Sequence, residues 1–178
     1  MSYKQTSKFK RVPSDLYETW DPRAVLPLVP HLPESLTYIE PCCGHGALIR
    51  QLDGLGYTCA MASDVTSSRV RDNIVRDATT YDFGVFAGAT IVTNPPYQWP
   101  ILSRILDNTA AVKTVWLLLP ADYMHNQRMA LYMARCSKVV AVGRLKWIKG
   151  STSDSTKNFA WYCFGPQPCP TVFFGRVQ

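Results

Sequence analysis

Short apolar runs alternate with segments of helical spacing along this chain, and nearly every run is closed by proline, glycine or an acidic residue. Asp21-Pro22 sets a side-chain acceptor ahead of a first-turn proline, so a short helix is predicted through about Leu28, stopping before Pro30 and Pro33. Leu36 to Glu40 reads as a strand running into Pro41-Cys42-Cys43-Gly44-His45-Gly46. Ala47, Leu48, Leu52 and Leu55 then recur on one helical face up to the stop at Gly54-Leu55-Gly56. Tyr57 to Ala62 is a second strand ending at Ser63-Asp64, and Asn73 to Val75 a weak third, followed by Arg76-Asp77. Thr90-Ile91-Val92-Thr93 is β-branched throughout and halts at Asn94-Pro95-Pro96-Tyr97, because neither proline can donate to a ladder. Ile101, Leu102, Ile105 and Leu106 predict a helix, Val115 to Leu119 a fully apolar strand, and Asn126 to Ala134 another helix. Lys138 to Val142 and Asn158 to Phe164 are the last two strands.

Strand alternating with helix, with strands apolar on both faces, predicts a doubly wound α/β domain with a mostly parallel sheet of seven strands. Ligands of such sheets sit beyond the carboxyl ends of the strands, near the point where strand order reverses. Pro41 to Gly46, Asp64, Asp77 and Asn94 to Tyr97 each follow a predicted strand directly and so gather at that edge.

The chain has 178 residues, the expected size of one domain over 1–178, with no separate target-recognition domain. At 47% hydrophobic and 18% charged it is neither disordered nor a coiled coil. The net charge of +6 is unevenly spread. Residues 1–89 carry 9 Lys/Arg against 10 Asp/Glu, whereas residues 90–178 carry 10 against only Asp107, Asp122 and Asp154. A polyanionic partner, nucleic acid above all, is therefore expected on the second half. Lys4, Lys8, Lys10 and Arg11 read as a flexible basic arm over 1–12. No apolar stretch follows those charges and no run approaches a membrane span, so a cytoplasmic chain is expected. The six cysteines include no C-x-x-C pair and read as small buried hydrophobes, with no metal expected.

Glycine after a first strand lets backbone approach a ligand, and an acidic residue after a second strand can accept from ribose hydroxyls. Glu40 and Asp64 stand 24 residues apart, near nucleoside-site spacing. Gly44-His45-Gly46 lacks the third glycine of a dinucleotide fingerprint, and no Walker lysine follows, which disfavours a diphosphate. A plain structural turn also uses such glycines. Glu40-Pro41-Cys42-Cys43-Gly44-His45-Gly46 resembles the S-adenosylmethionine loop of class I methyltransferases, whose acidic residue faces the cofactor's amino acid end and suits its positive charge.

Asn94-Pro95-Pro96-Tyr97 resembles the N-P-P-[YF] motif of methyltransferases that modify planar nitrogens, chiefly adenine N6. An adenine amino group is a poor nucleophile because its lone pair is delocalised, so accepting both its hydrogens polarises it and orients the lone pair. The resemblance implies that the Asn94 side-chain oxygen and the Pro95 carbonyl are the acceptors. Pro95 and Pro96 would hold the loop rigid, and Tyr97 would offer a ring for the base to stack on. Over most of its length the chain resembles small phage-encoded DNA N6-adenine methyltransferases. Tyr17-Glu18-Thr19-Trp20-Asp21-Pro22 is similar to their Y-x-T-P segment beside the cofactor, with Trp20-Asp21 interposed. The resemblance makes Tyr17, Thr19, Glu40, Pro41, Cys42, Gly44, Gly46, Asp64, Asp77 and Asn94 candidate cofactor residues, although Asp77 reads equally as a helix cap. The segment from Leu145 to Trp161 resembles the part framing the target base, with Lys146, Trp147, Lys149, Lys157, Asn158 and Trp161 as candidate substrate contacts. A basic loop with interleaved aromatics suits a displaced base. Alternation of Phe159, Trp161 and Cys163 against Ala160 and Tyr162 is also what a sheet strand shows, which puts at least one tryptophan in the core.

The activity implied is methyl transfer from S-adenosylmethionine to adenine N6, in DNA rather than RNA. RNA adenine N6 or guanine N2, a protein glutamine, and a non-catalytic binding subunit are the alternatives.

Overall fold

The computed structural model describes residues 17–66, 70 and 74–176, so the basic arm expected over 1–12 lies outside the described residues. Eight strands form one sheet: β1 (Thr37–Glu40), β2 (Thr58–Asp64), β3 (Ile74–Val75), β4 (Thr90–Thr93), β5 (Thr114–Pro120), β6 (Cys136–Gly143), β7 (Phe159–Phe164) and β8 (Val172–Phe174). Their order is β3-β2-β1-β4-β5-β7-β6-β8. The pairings from β3 to β5 are parallel, β7 runs antiparallel between β5 and β6, and β8 adds in parallel on β6. Strand order reverses between β1 and β4, which are adjacent and lead outward in opposite directions. That is where a doubly wound sheet leaves a crevice.

Period-two alternation divides most of the buried apolar strand residues between two cores. Tyr38, Val92, Trp116, Leu118 and Trp161 pack with Ala24 and Leu28 and with Leu48 and Leu52 of α1 (Ala47–Asp53). Ile39, Ile91, Leu117, Leu119 and Tyr162 pack on the opposite side with Leu102, Ile105 and Leu106 of α2 (Trp99–Asn108). The central β5 is buried from Val115 to Pro120, as both faces being covered requires. Trp161 is 0% exposed, and its indole N–H donates to the Ala24 carbonyl at 2.6 Å, tying β7 to the segment over the first face. This corrects the expectation that Trp161 contacts substrate: it is the core tryptophan of the pair.

Three further differences have local causes. Asp21 caps as predicted, its carboxylate accepting from Arg23 N at 3.0 Å, but the helix to Leu28 is reduced to 3-10 turns at Pro22–Ala24 and Val29–His31. Pro27 has no N–H to donate to Arg23 and its ring crowds that carbonyl, so α-helix cannot propagate. The helix expected over 126–134 is a 3-10 turn at Gln127–Met129 followed by one turn, α3 (Ala130–Met133); Asn126 makes no side-chain cap. β8 was not expected, because three residues after Pro170 carry no readable period. No helix among the described residues is long and apolar enough to cross a membrane.

Candidate functional site

A cavity opens at the carboxyl ends of β1, β2 and β4. It is lined by Tyr17 to Thr19, Glu40, Cys42 to Gly44, Ala47, Leu48, Asp64 to Thr66 and Asn94 to Tyr97. Seven of the ten sequence candidates for the cofactor thus come together there with Pro95, Pro96 and Tyr97, from four separate stretches of chain, whereas Gly46 does not line the cavity.

The glycine loop is shaped to be close to whatever fills the cavity. Gly46, the residue before α1, has φ +78°, and a Cβ there would stand 2.7 Å from Val70 Cγ2, so glycine is required on two counts. Gly44 N donates to Asp64 Oδ2 at 2.9 Å, while Asp64 Oδ1 accepts from Thr66 N at 3.0 Å and Thr66 Oγ1 at 2.9 Å. Three of the carboxylate's roughly four acceptor positions are filled, which leaves capacity for a further donor from the cavity.

Glu40 is 1% exposed at the end of β1. Its Oε1 accepts a short hydrogen bond from the Thr93 hydroxyl, and its Oε2 is buried without a hydrogen-bond partner among the described residues. Burial pushes the carboxyl up to about 8, against the opposing pull of Thr93 Oγ1 and the Cys42 amide; the nearby Asp64 charge adds to the rise. A buried acceptor with nothing opposite it costs about 1–3 kcal/mol, a cost that a cationic ligand group would remove.

Asn94 is held in one orientation. Its Nδ2 donates to the Tyr17 carbonyl at 2.8 Å and to Thr19 Oγ1 at 3.2 Å, and its Oδ1 accepts from the Tyr97 hydroxyl at 2.5 Å. Both amide hydrogens are engaged, so a flipped amide would face two acceptors with an oxygen. Tyr97 lies inward rather than as an open platform, its ring 5.8 Å from that of Phe159 and its carbonyl accepting from Tyr123 OH at 2.8 Å. Trp147 continues the aromatic row, 4.8 Å from Phe159 and 6.2 Å from Tyr17. It therefore stands behind the cavity wall, half-buried.

Other candidates fall elsewhere. Pro41 is buried beneath the loop and does not line the cavity. Asp77 is exposed, accepts from Thr79 N at 2.8 Å and Thr79 Oγ1 at 2.7 Å, and caps its own turn outside the cavity. Lys146 and Lys149 line a separate groove, and Lys157 and Asn158 are exposed in the loop between β6 and β7. That loop is fastened inward: Lys146 N donates to Asp21 Oδ2 at 3.0 Å, and Arg23 bridges Asp21 and Asp154 at 2.6 and 2.8 Å. Among the described residues, no group of three or more His, Cys, Asp or Glu is placed to hold a metal ion.

Sequence reasoning missed Thr93, Glu18 and Gln51. Glu18 Oε1 takes the His45 amide at 3.0 Å and also meets the His45 ring, and Gln51 donates to the Thr19 carbonyl. Thr93 was signalled only as the last residue before Asn94, and Glu18 only by lying between Tyr17 and Thr19.

No protein-family model and no curated protein matches the sequence. Solved structures do match in shape. A Pyrococcus horikoshii protein, PH1948, named as an RNA methyltransferase, has a TM-score of 0.54 at 13% identity over 94% of this chain and 92% of its own. The E. cuniculi Mtq2–Trm112 complex, responsible for methylation of the translation termination factor eRF1, gives 0.53 at 16% identity over 81% of this chain and 92% of that one. The M protein of the type I restriction enzyme EcoKI gives 0.51 at 10% identity over 90% of this chain, which spans about half of that protein's length, at 49%. At these identities the likeness is one of architecture, and with the strand order it establishes the chain as a doubly wound, mostly parallel α/β structure of the Rossmann-like class I methyltransferase fold.

Proposed function

We propose that this chain transfers a methyl group from S-adenosylmethionine to the N6 amino group of adenine in DNA, by direct attack from a flipped or unpaired base. The observation that carries the reading is the pairing, in one cavity, of an amide oxygen of fixed orientation at Asn94 with the unpartnered buried oxygen of Glu40.

The donor set fits the cofactor. Glu40 Oε2 is an anionic acceptor for a positively charged amino acid end, Asp64 retains acceptor capacity for ribose hydroxyls, and Gly44 puts no side chain on the cavity wall. S-adenosylmethionine bound there supplies an electrophilic methyl group. The protein's part is to orient the nitrogen. Asn94 Oδ1 has a second lone pair beside the Tyr97 hydroxyl and accepts one amino hydrogen; the Pro95 carbonyl accepts the other. Because Tyr17 and Thr19 already fix the amide, little reorganisation accompanies the reaction. The nitrogen's proton becomes acidic on methylation and leaves to water, so no strong general base is needed.

The basic second half and the lysines of the β6–β7 loop favour nucleic acid over a protein substrate. Incubation with labelled S-adenosylmethionine and DNA, RNA or protein, followed by digestion and mass spectrometry, tests the reading. N6-methyladenine from DNA is expected; its absence from every nucleic acid would sink it.

A further inference from the structure

The cavity holds a second carboxylate oxygen in the same condition as Glu40 Oε2. Glu18 lines the cavity between Tyr17 and Thr19, and its side chain is only 8% exposed. Its Oε1 is already engaged, accepting from the His45 amide at 3.0 Å and meeting the His45 ring. Its Oε2 is buried with no hydrogen-bond partner among the described residues. The contacts that hold the segment from Tyr17 to Thr19 in place make no use of that oxygen, so leaving it buried is a cost that they do not explain. The two carboxylates are also linked through the end of β4. Thr93 donates to Glu40, and Asn94, the next residue, donates to the Tyr17 carbonyl and the Thr19 hydroxyl on either side of Glu18. Among the described residues, Glu18, Glu40 and Asp64 line the cavity and no lysine or arginine does. Acceptors are in surplus there, and the missing partner is a cationic donor.

The proposed cofactor offers one such group. Its sulfonium has no hydrogen to give, its adenine amino group is neutral, and its ribose hydroxyls are matched by the remaining capacity of Asp64. An ammonium carries three hydrogens, more than Glu40 Oε2 alone takes up. We propose that Glu18 Oε2 is a second contact for the ammonium at the cofactor's amino acid end, acting with Glu40. The inference rests on the S-adenosylmethionine reading above. It makes Glu18 a residue that selects ligands with a cationic amino acid end, in addition to bracing the glycine loop through His45.

Calorimetric titration of wild type and Glu18→Gln with S-adenosylmethionine, S-adenosylhomocysteine and methylthioadenosine tests this. Methylthioadenosine keeps the adenosine and the sulfur but has no amino acid end. Glutamine keeps an oxygen for the His45 amide and removes the charge. Affinity for the first two ligands should fall about tenfold or more, as loss of a charge-assisted hydrogen bond does, while methylthioadenosine binds the variant as it binds wild type. Circular dichroism of the ligand-free variant, expected to match wild type, checks the fold independently of any ligand. Equal losses on all three ligands would overturn the proposal and make Glu18 a brace only. Unchanged affinity for all three would overturn it while leaving the cofactor reading intact. If the wild type binds none of the three, that reading falls and the inference falls with it.

Discussion

Replacing Glu40 by glutamine should flatten the pH dependence of stability, and the size of the effect follows from where the carboxyl sits. Desolvation raises its pKa from 4.5 to about 8, so across that window the folded chain keeps a proton that the unfolded chain releases. Below 4.5 both states are protonated and Glu40 contributes no penalty. As pH rises, unfolding is increasingly favoured, until near 8 the folded state also ionises and the loss levels off. At about 1.4 kcal/mol per unit the full span is on the order of 5 kcal/mol, of which about 3 kcal/mol falls between pH 5 and 8. For a domain of this size that is roughly 10 °C in melting temperature. Glu40→Gln keeps shape and polarity without the titration, so the difference between variant and wild-type curves isolates this one group. Differential scanning calorimetry from pH 5 to 8.5 should show the variant gaining on wild type throughout. Parallel curves would refute the argument that Glu40 is buried without compensation. Under the proposed function the same variant should lose cofactor affinity, because a neutral amide no longer complements a cationic ligand, and the loss should be greatest above pH 8, where the wild-type carboxyl is ionised unaided.

Further outcomes follow from single contacts. Asn94→Ala should reduce methyl transfer by about 100-fold or more while S-adenosylmethionine binds within a fewfold of wild type, read by single-turnover kinetics and equilibrium dialysis; near-full turnover would refute the amino-group clamp. Asp64→Ala should weaken cofactor binding at least tenfold by calorimetric titration, since it removes a buried acceptor and also frees Gly44 N and Thr66. Trp161→Phe should cost about 1–3 kcal/mol in urea unfolding, through the lost bond to Ala24 and a small void, with oligonucleotide affinity unchanged; weakened binding would restore Trp161 as a contact.

Much of this fold was legible because a doubly wound sheet writes both its strands and its turns into the chain. Thr90 to Thr93 ends where two prolines end it, and β1, β5 and β7 are apolar on both faces, so their positions needed no tertiary knowledge. Strand direction was not legible: nothing in Phe159 to Phe164 distinguishes an antiparallel insertion between β5 and β6 from a parallel addition at the edge. The site followed the same division. Glu40, Asp64 and Asn94 were found because each terminates a strand, whereas Asp77 also terminates one and caps its own turn instead. Trp147 and Trp161 sit in similar surroundings by sequence, and only packing separates the half-buried wall residue from the core residue.

The segment from Tyr17 to Arg23 was read as a flank of the cofactor, yet its contacts give it a second task. It reaches the glycine loop through Glu18 and His45, α1 through Gln51, the β4 loop through Asn94, and the β6–β7 loop through Asp21 and Arg23. One strap thus fixes parts of the chain that a methyl transfer must hold in register. Thr19 is the point where this can be measured without breaking the fold, since it is buried and its hydroxyl supplies one of the two acceptors that orient the Asn94 amide. Thr19→Val preserves the volume and removes the acceptor. A neutral hydrogen bond of this kind is worth about 1 kcal/mol, so kcat should fall about fivefold with KM for the cofactor nearly unchanged, and Thr19→Ser should restore it. If Thr19→Val instead raised KM with kcat intact, the strap would be a cofactor wall only, and the orientation of Asn94 would have to come from Tyr17 and Tyr97 alone.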